Sequence, residues 1–179
     1  MGLNLSIKRP GEILGTVKLK DGTSHQNIDV YIPGSITITQ TDVNGNYVLL
    51  NVPAGEYQLK FSKADYKDII CSNIIVNSNQ NTPVPPLILK KNQEAALYGT
   101  ITGKITDGRN FLAGALILIY GNEHITITDS DGNYCLGNIL PGQYKLQIYK
   151  QGFKTKTLDI MVTAGKTTTI NDISLVKGI

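Results

Sequence analysis

The 179-residue sequence predicts an all-β fold, built as two tandem seven-stranded β-sandwiches of the Ig-like kind. Three observations predict it. First, residues 41–59, TDVNGNYVLLNVPAGEYQL, return at residues 128–146 as TDSDGNYCLGNILPGQYKL, with ten identities at one offset of 87. So long a period, occurring twice, marks two domains that each bury a core rather than the units of a solenoid. Second, apolar residues alternate with polar ones in short runs, broken by turn residues about every 8–12 positions. Third, 18 Gly and 7 Pro interrupt every candidate helix, so helix content is expected near zero.

In chain order, the first repeat predicts strands at 13–20, 28–32, 36–41, 46–50, 56–61, 69–76 and 86–90. The second predicts 98–106, 115–120, 124–128, 133–136, 143–149, 155–163 and 167–176. Gly15-Thr-Val17 and Gly103-Lys-Ile105 mark the opening strands, and Leu89 and Leu175 close the repeats. The division falls near 91–95, after Pro83-Val-Pro-Pro86. This gives an arm at 1–12 and domains at 13–92 and 93–179, joined by a linker short enough to restrict their orientation.

The sharpest local signals are turns. Asp42-Val-Asn-Gly45 and Asp129-Ser-Asp-Gly132 place a carboxylate where it caps a turn and a glycine where φ must be positive. The alternation that follows directs Tyr47 and Leu49, and Tyr134 and Leu136, to the core. A second turn carries Gly55 or Gly142, and beyond it Tyr57 and Leu59, or Tyr144 and Leu146, are again expected inward.

These residues carry a resemblance. Gly-x-Val/Ile, then Thr-Asp-x-Asn/Asp-Gly-Asn-Tyr-x-Leu, then Asn-Val/Ile-x-x-Gly-x-Tyr-x-Leu, and finally Tyr66 or Gly152-Phe153, resemble the carboxypeptidase regulatory-like domain. The resemblance covers nearly the whole chain, twice. It implies a transthyretin-like seven-stranded sandwich, a cell-surface or extracellular setting, and a module that is mostly non-catalytic in its host proteins. The related collagen-adhesin B-type domains form a Lys–Asn isopeptide bond promoted by a buried acid shortly after the second Tyr. Lys18, Lys20 and Lys104 lie near the corresponding strand. Tyr57-Gln-Leu-Lys-Phe61 and Tyr144-Lys-Leu-Gln-Ile148 hold no acid, so that bond is not expected.

Composition excludes several classes. With 17 Lys plus Arg against 14 Asp plus Glu the net charge is +3, and no basic run is longer than Lys90-Lys91, so no nucleic-acid partner is expected. No apolar stretch reaches about 18 residues, so no membrane insertion is expected. MGLNLSIKRPGE holds no export signal. A spore layer assembled inside a mother cell, or a phage particle, would need none. Abundant Ile, Asn and Lys with two Arg suits a bacterial AT-rich genome.

No metal or cofactor motif is present: His25 and His124 stand outside any zinc spacing. Asp129-Ser-Asp131-Gly-Asn133 begins like a calcium loop, but Leu140 stands where the bidentate Glu belongs, so it reads as a capped turn. In a hairpin about Asp129–Gly132, Cys135 would face Thr126 with His124 diagonal to it, a Cys–His pair without an orienting third group. Tyr31, Tyr98, Tyr120 and Tyr149 remain as candidates for stacking on a sugar. Cys135, read as outward, and Cys71, read as inward, are either inert thiols or, through Cys135, an intermolecular disulfide.

Leu3, Leu5 and Ile7 alternate with polar neighbours outside the repeat. This short strand either packs on its own domain or is donated to a neighbour's sheet. The leading expectation is therefore a non-catalytic structural protein of the cell or spore surface, a self-assembling fibre or appendage subunit that forms a homo-polymer by strand addition. The alternative is a glycan- or protein-binding accessory module of a larger secreted enzyme or adhesin.

Overall fold

The computed structural model describes residues 9–178, so Leu3, Leu5 and Ile7 lie outside the described residues. The first seven strands are β1 (Gly11–Leu19), β2 (Asp29–Tyr31), β3 (Ile38–Gln40), β4 (Asn46–Val52), β5 (Gly55–Ser62), β6 (Ile69–Val76) and β7 (Asn81–Leu89). After a single 3-10 turn at Ala95–Leu97 come β8 (Gly99–Thr106), β9 (Leu116–Ile119), β10 (Ile125–Ile127), β11 (Asn133–Ile139), β12 (Gly142–Tyr149), β13 (Lys156–Val162) and β14 (Thr167–Ser174). The predicted tandem all-β sandwiches are what the chain forms.

Each sandwich faces a three-stranded sheet against a four-stranded one: β4-β1-β7 on β3-β2-β5-β6, and β11-β8-β14 on β10-β9-β12-β13. In each, the last strand returns parallel to the first, β7 on β1 and β14 on β8, while the other pairs are antiparallel. The sequence starts the seventh strand at Pro86, the last of the prolines, yet β7 starts at Asn81 and runs through all three. It is an edge strand, where a missing N–H costs little, and residues 85–86 bulge opposite Thr16.

Period-two alternation fills both cores. Ile13, Val17, Leu49, Leu59 and Phe61 are buried in one; Ile101, Ile105, Leu136, Leu146 and Ile148 in the other. Each such side chain contributes about 1.5–3 kcal/mol by leaving water. Gly15 and Gly103 sit beneath Tyr47 and Tyr134, where a Cβ would lie 2.7 Å from either hydroxyl. Both hydroxyls are buried, and neither has a hydrogen-bond partner among the described residues. An unpaired buried polar group costs about 1–3 kcal/mol. Tyr47→Phe and Tyr134→Phe are therefore expected to raise the urea midpoint; a lowered midpoint for both would contradict the geometry.

Candidate functional site

The two repeated turns are built alike. Asp42 Oδ1 accepts from Asn44 N at 2.9 Å and Asn46 N at 2.8 Å; Asp129 Oδ1 accepts from Asp131 N at 3.0 Å and Asn133 N at 2.8 Å. Those bonds hold the Asp42 carboxyl below its usual range. Gly45 and Gly132 have φ of +87° and +73°. The threonine before each Asp is buried: Thr41 Oγ1 accepts from Ile28 N at 3.0 Å, and Thr128 Oγ1 from Ala115 N at 2.8 Å.

Tyr57 and Tyr144 differ from the expected core placement. They are half-buried at the rim, and their hydroxyls donate to Pro53 O at 3.0 Å and Leu140 O at 2.9 Å. A carbonyl four residues back satisfies the phenol at the surface, so the ring covers the core without entering it, a tyrosine-corner arrangement. Gly55 and Gly142 leave room for these rings, since a Cβ at either position would stand only 3.3 or 3.4 Å from the ring atoms.

The two sandwiches meet through equivalent positions. Tyr31 and Ile38 on the outer face of β2 and β3 pack against Leu116, Leu118, Ile125 and Ile127 on the outer face of β9 and β10. The offset of 87 relates Tyr31 to Leu118 and Ile38 to Ile125. Polar contacts flank this small apolar cluster. Gln40 Nε2 donates to Asp29 Oδ1 at 2.8 Å and to Ile127 O at 3.2 Å, and Thr126 Oγ1 donates to Asp29 Oδ1 at 3.0 Å. Asn138, with φ +57°, donates its amide to Tyr66 O at 2.9 Å and to Asp68 Oδ1 at 3.0 Å. Gly137 abuts Ala64 so closely that a Cβ would stand 2.6 Å from it. At the linker, Asn92 N donates to Asp65 O and Lys67 N to Lys90 O.

Between the sandwiches lies a cleft of about 220 Å³, lined by Asp29, Gln40 and Lys63 on one side and Asn133, Cys135 and Gly137 on the other. Burial pushes the Asp29 carboxyl up to about 7, against the lowering effects of Gln40, Thr126 and the Lys63 charge. Burial also lowers Lys63, whose Nζ donates to Gln26 O and Asn27 O, both at 3.0 Å. Cys135 keeps part of its surface open at the cleft mouth, yet desolvation pushes its thiol up, more than the Lys63 charge lowers it. A raised thiol is a weak nucleophile at neutral pH.

The proposed Cys135–His124 neighbourhood does not form. β10 and β11 belong to different sheets, so the Asp129–Gly132 turn crosses the sandwich instead of closing a hairpin, and Cys135 lies opposite Thr102 of β8. His124 instead contacts Asn122 Oδ1 at 2.6 Å and Asn138 O at 3.0 Å, and burial lowers its pKa. Cys71 is half-buried on β6 against the first core, with its thiol raised by burial. Of the candidate sugar platforms, Tyr31 is buried between the sandwiches, while Tyr120 and Tyr149 are 67% and 47% exposed. Lys104 places its ammonium 4.0 Å over the Phe111 ring. Among the described residues no three His, Cys, Asp or Glu side chains gather to hold a metal ion. No helix among them is long and apolar enough to cross a membrane.

The chain is 27% identical over 128 residues to Colossin-A of Dictyostelium discoideum, a match covering 62% of this chain and 1% of that protein. Among solved structures it is similar to GBS52, the minor pilin of Streptococcus agalactiae. There the identity is 14%, the TM-score 0.39, and 94% of this chain and 97% of that one are covered. It is similar also to the Bacillus anthracis TIE protein, at 16% identity and TM-score 0.38, covering 94% of this chain and 34% of that one. Residues 12–87 and again 100–176 match the carboxypeptidase regulatory-like domain. With one match spanning nearly the whole of each sandwich, the chain belongs to the carboxypeptidase regulatory-like domain family and carries two tandem copies of it.

Proposed function

We propose that this chain is a non-catalytic structural subunit of a cell-surface or spore-surface fibre or appendage, joined to copies of itself by strand addition through Leu3, Leu5 and Ile7. The observation that carries this reading is the coupling of the two sandwiches. An apolar contact, a buried carboxyl and a pinned linker join them, which suits a repeating unit that transmits its orientation to the next. The alternating arm supplies a donor for a neighbouring sheet edge. Cys135 is the candidate for a reinforcing intermolecular disulfide, with Cys71 the less accessible thiol.

Removing residues 1–8 leaves β1 whole and is expected to turn filaments, seen by negative-stain electron microscopy, into separate two-lobed particles. Filaments from the truncated chain would refute strand donation. Filaments that persist in reductant would remove cysteine from the assembly.

The cleft, with polar groups set among apolar ones, favours a second reading, an accessory module that binds a glycan or a surface protein. That reading expects a monomer with saturable binding on a glycan array or to a surface protein.

A further inference from the structure

A sheet edge presents unpaired backbone N–H and C=O groups, and the four sheets of the described residues have eight edges. Seven are blunted. β3 and β10 cover one another where the sandwiches meet. β7 carries Pro83, Pro85 and Pro86, which offer no N–H. β4, β6 and β11 are bulged at Asn51, Asn73 and Asn138, each in the left-handed region. β14 is bulged too, pairing Ile170 with Gly103 but Ile173 with Ile105. Among the described residues, and β3 and β10 aside, β13 alone is straight and free of proline, and of its outward groups the Met161 carbonyl is the one already bonded, by Thr168. All seven of its residues hold register with β12, from Val162 on Gly142 to Lys156 on Ile148.

Two contacts show which of its backbone groups face outward. Tyr120 N donates to Lys145 O, so the Lys145 backbone turns toward β9, and its partner Asp159 points N–H and C=O away from β12. Thr168 Oγ1 reaches Met161 O from outside the sheet, which puts Met161 in the same set. Thr157 completes it by the two-residue period.

The position of β13 selects the donor. In its sheet β13 is the edge opposite β10, about 14 Å across from the strand that packs on the first sandwich. The arm joins the fold through Arg9, whose carbonyl accepts from Asn79 N at the end of β1 away from the linker. The free edge thus faces away from the first sandwich, the one its own arm precedes.

Resting on the strand-addition reading, we infer that β13 is the acceptor edge for residues 3–7 of a second copy. That segment extends the β10-β9-β12-β13 sheet by one strand, with Leu3, Leu5 and Ile7 on the side of half-buried Leu158. Donor and acceptor lie on different domains, so the contact is heterologous and runs head to tail.

Asp159→Pro removes an outward N–H while leaving the β12 ladder intact. Chains lacking residues 1–8 keep only the acceptor; Asp159→Pro chains keep only the donor. Each is expected to sediment as a monomer, and a mixture of the two as a 1:1 heterodimer. A peptide of residues 2–8 is expected to protect the Thr157 and Asp159 amides of the truncated chain from hydrogen exchange. If Asp159→Pro chains polymerise while truncated chains do not, β13 is the wrong edge and strand addition stands. Polymerisation of the truncated chain removes both readings. Should Asp159→Pro melt early, exchange on the truncated chain decides: peptide binding without protection in β13 overturns the assignment.

Discussion

Asp29→Asn is expected to stabilise the protein at pH 8 and to flatten its stability between pH 4 and pH 7. In the unfolded chain the carboxyl releases its proton near 3.8; in the folded protein it does so at about 7. Between those values the folded state holds the extra proton, so stability falls as pH rises, at up to about 1.4 kcal/mol per pH unit. Above about 7 the loss is complete, on the order of 4 kcal/mol at most. Below both values the group contributes no slope. The groups facing it are the Gln40 amide, the Thr126 hydroxyl, the Lys63 ammonium and the more distant Asp68 carboxylate. Asparagine keeps an oxygen for Gln40 and Thr126 and cannot ionise. Urea unfolding of parent and variant at pH 5 and pH 8 checks this; parallel pH profiles would show that Asp29 does not carry the proton.

Gly137→Leu is expected to part the sandwiches while leaving each one folded. Its counterpart in the first repeat is Leu50, which is 54% exposed on β4, so the strand itself accepts leucine at this position. At Gly137 the space is taken by Ala64 of the other sandwich, whose Cα and Cβ would both be 2.6 Å from the new Cβ. Backbone cannot yield there without moving a domain. The Asn138 contacts and the Tyr31 cluster then open together, since both span the same interface. Small-angle scattering is expected to show a larger radius of gyration with unchanged far-ultraviolet circular dichroism. An unchanged radius would mean that the interface tolerates the side chain elsewhere.

The sandwiches were legible because their determinants are local and doubled. Alternation places Leu49 and Leu136 inward, and the Asp-x-Asn/Asp-Gly turns need only their own residues. The interface was not, although its signal was present. Tyr31 with Leu118, and Ile38 with Ile125, are large apolar residues at outward positions of both repeats, and alternation alone assigns such positions to solvent. Asn51 and Asn138 repeat equally well, yet only Asn138 reaches across to the other sandwich, because what lies beyond a strand is set by the neighbouring domain. The Cys135–His124 pairing failed for a related reason. A short connection between two strands reads as a hairpin, and nothing local reveals that it passes from one sheet to the other.

The parallel return of β7 onto β1, and of β14 onto β8, has a mechanical consequence. Parallel neighbours put the start of the first strand and the end of the last at opposite ends of the domain. Tension applied through the chain's two ends therefore slides these strands past one another, and the rungs between them share the load at once. Antiparallel terminal strands would instead peel apart rung by rung.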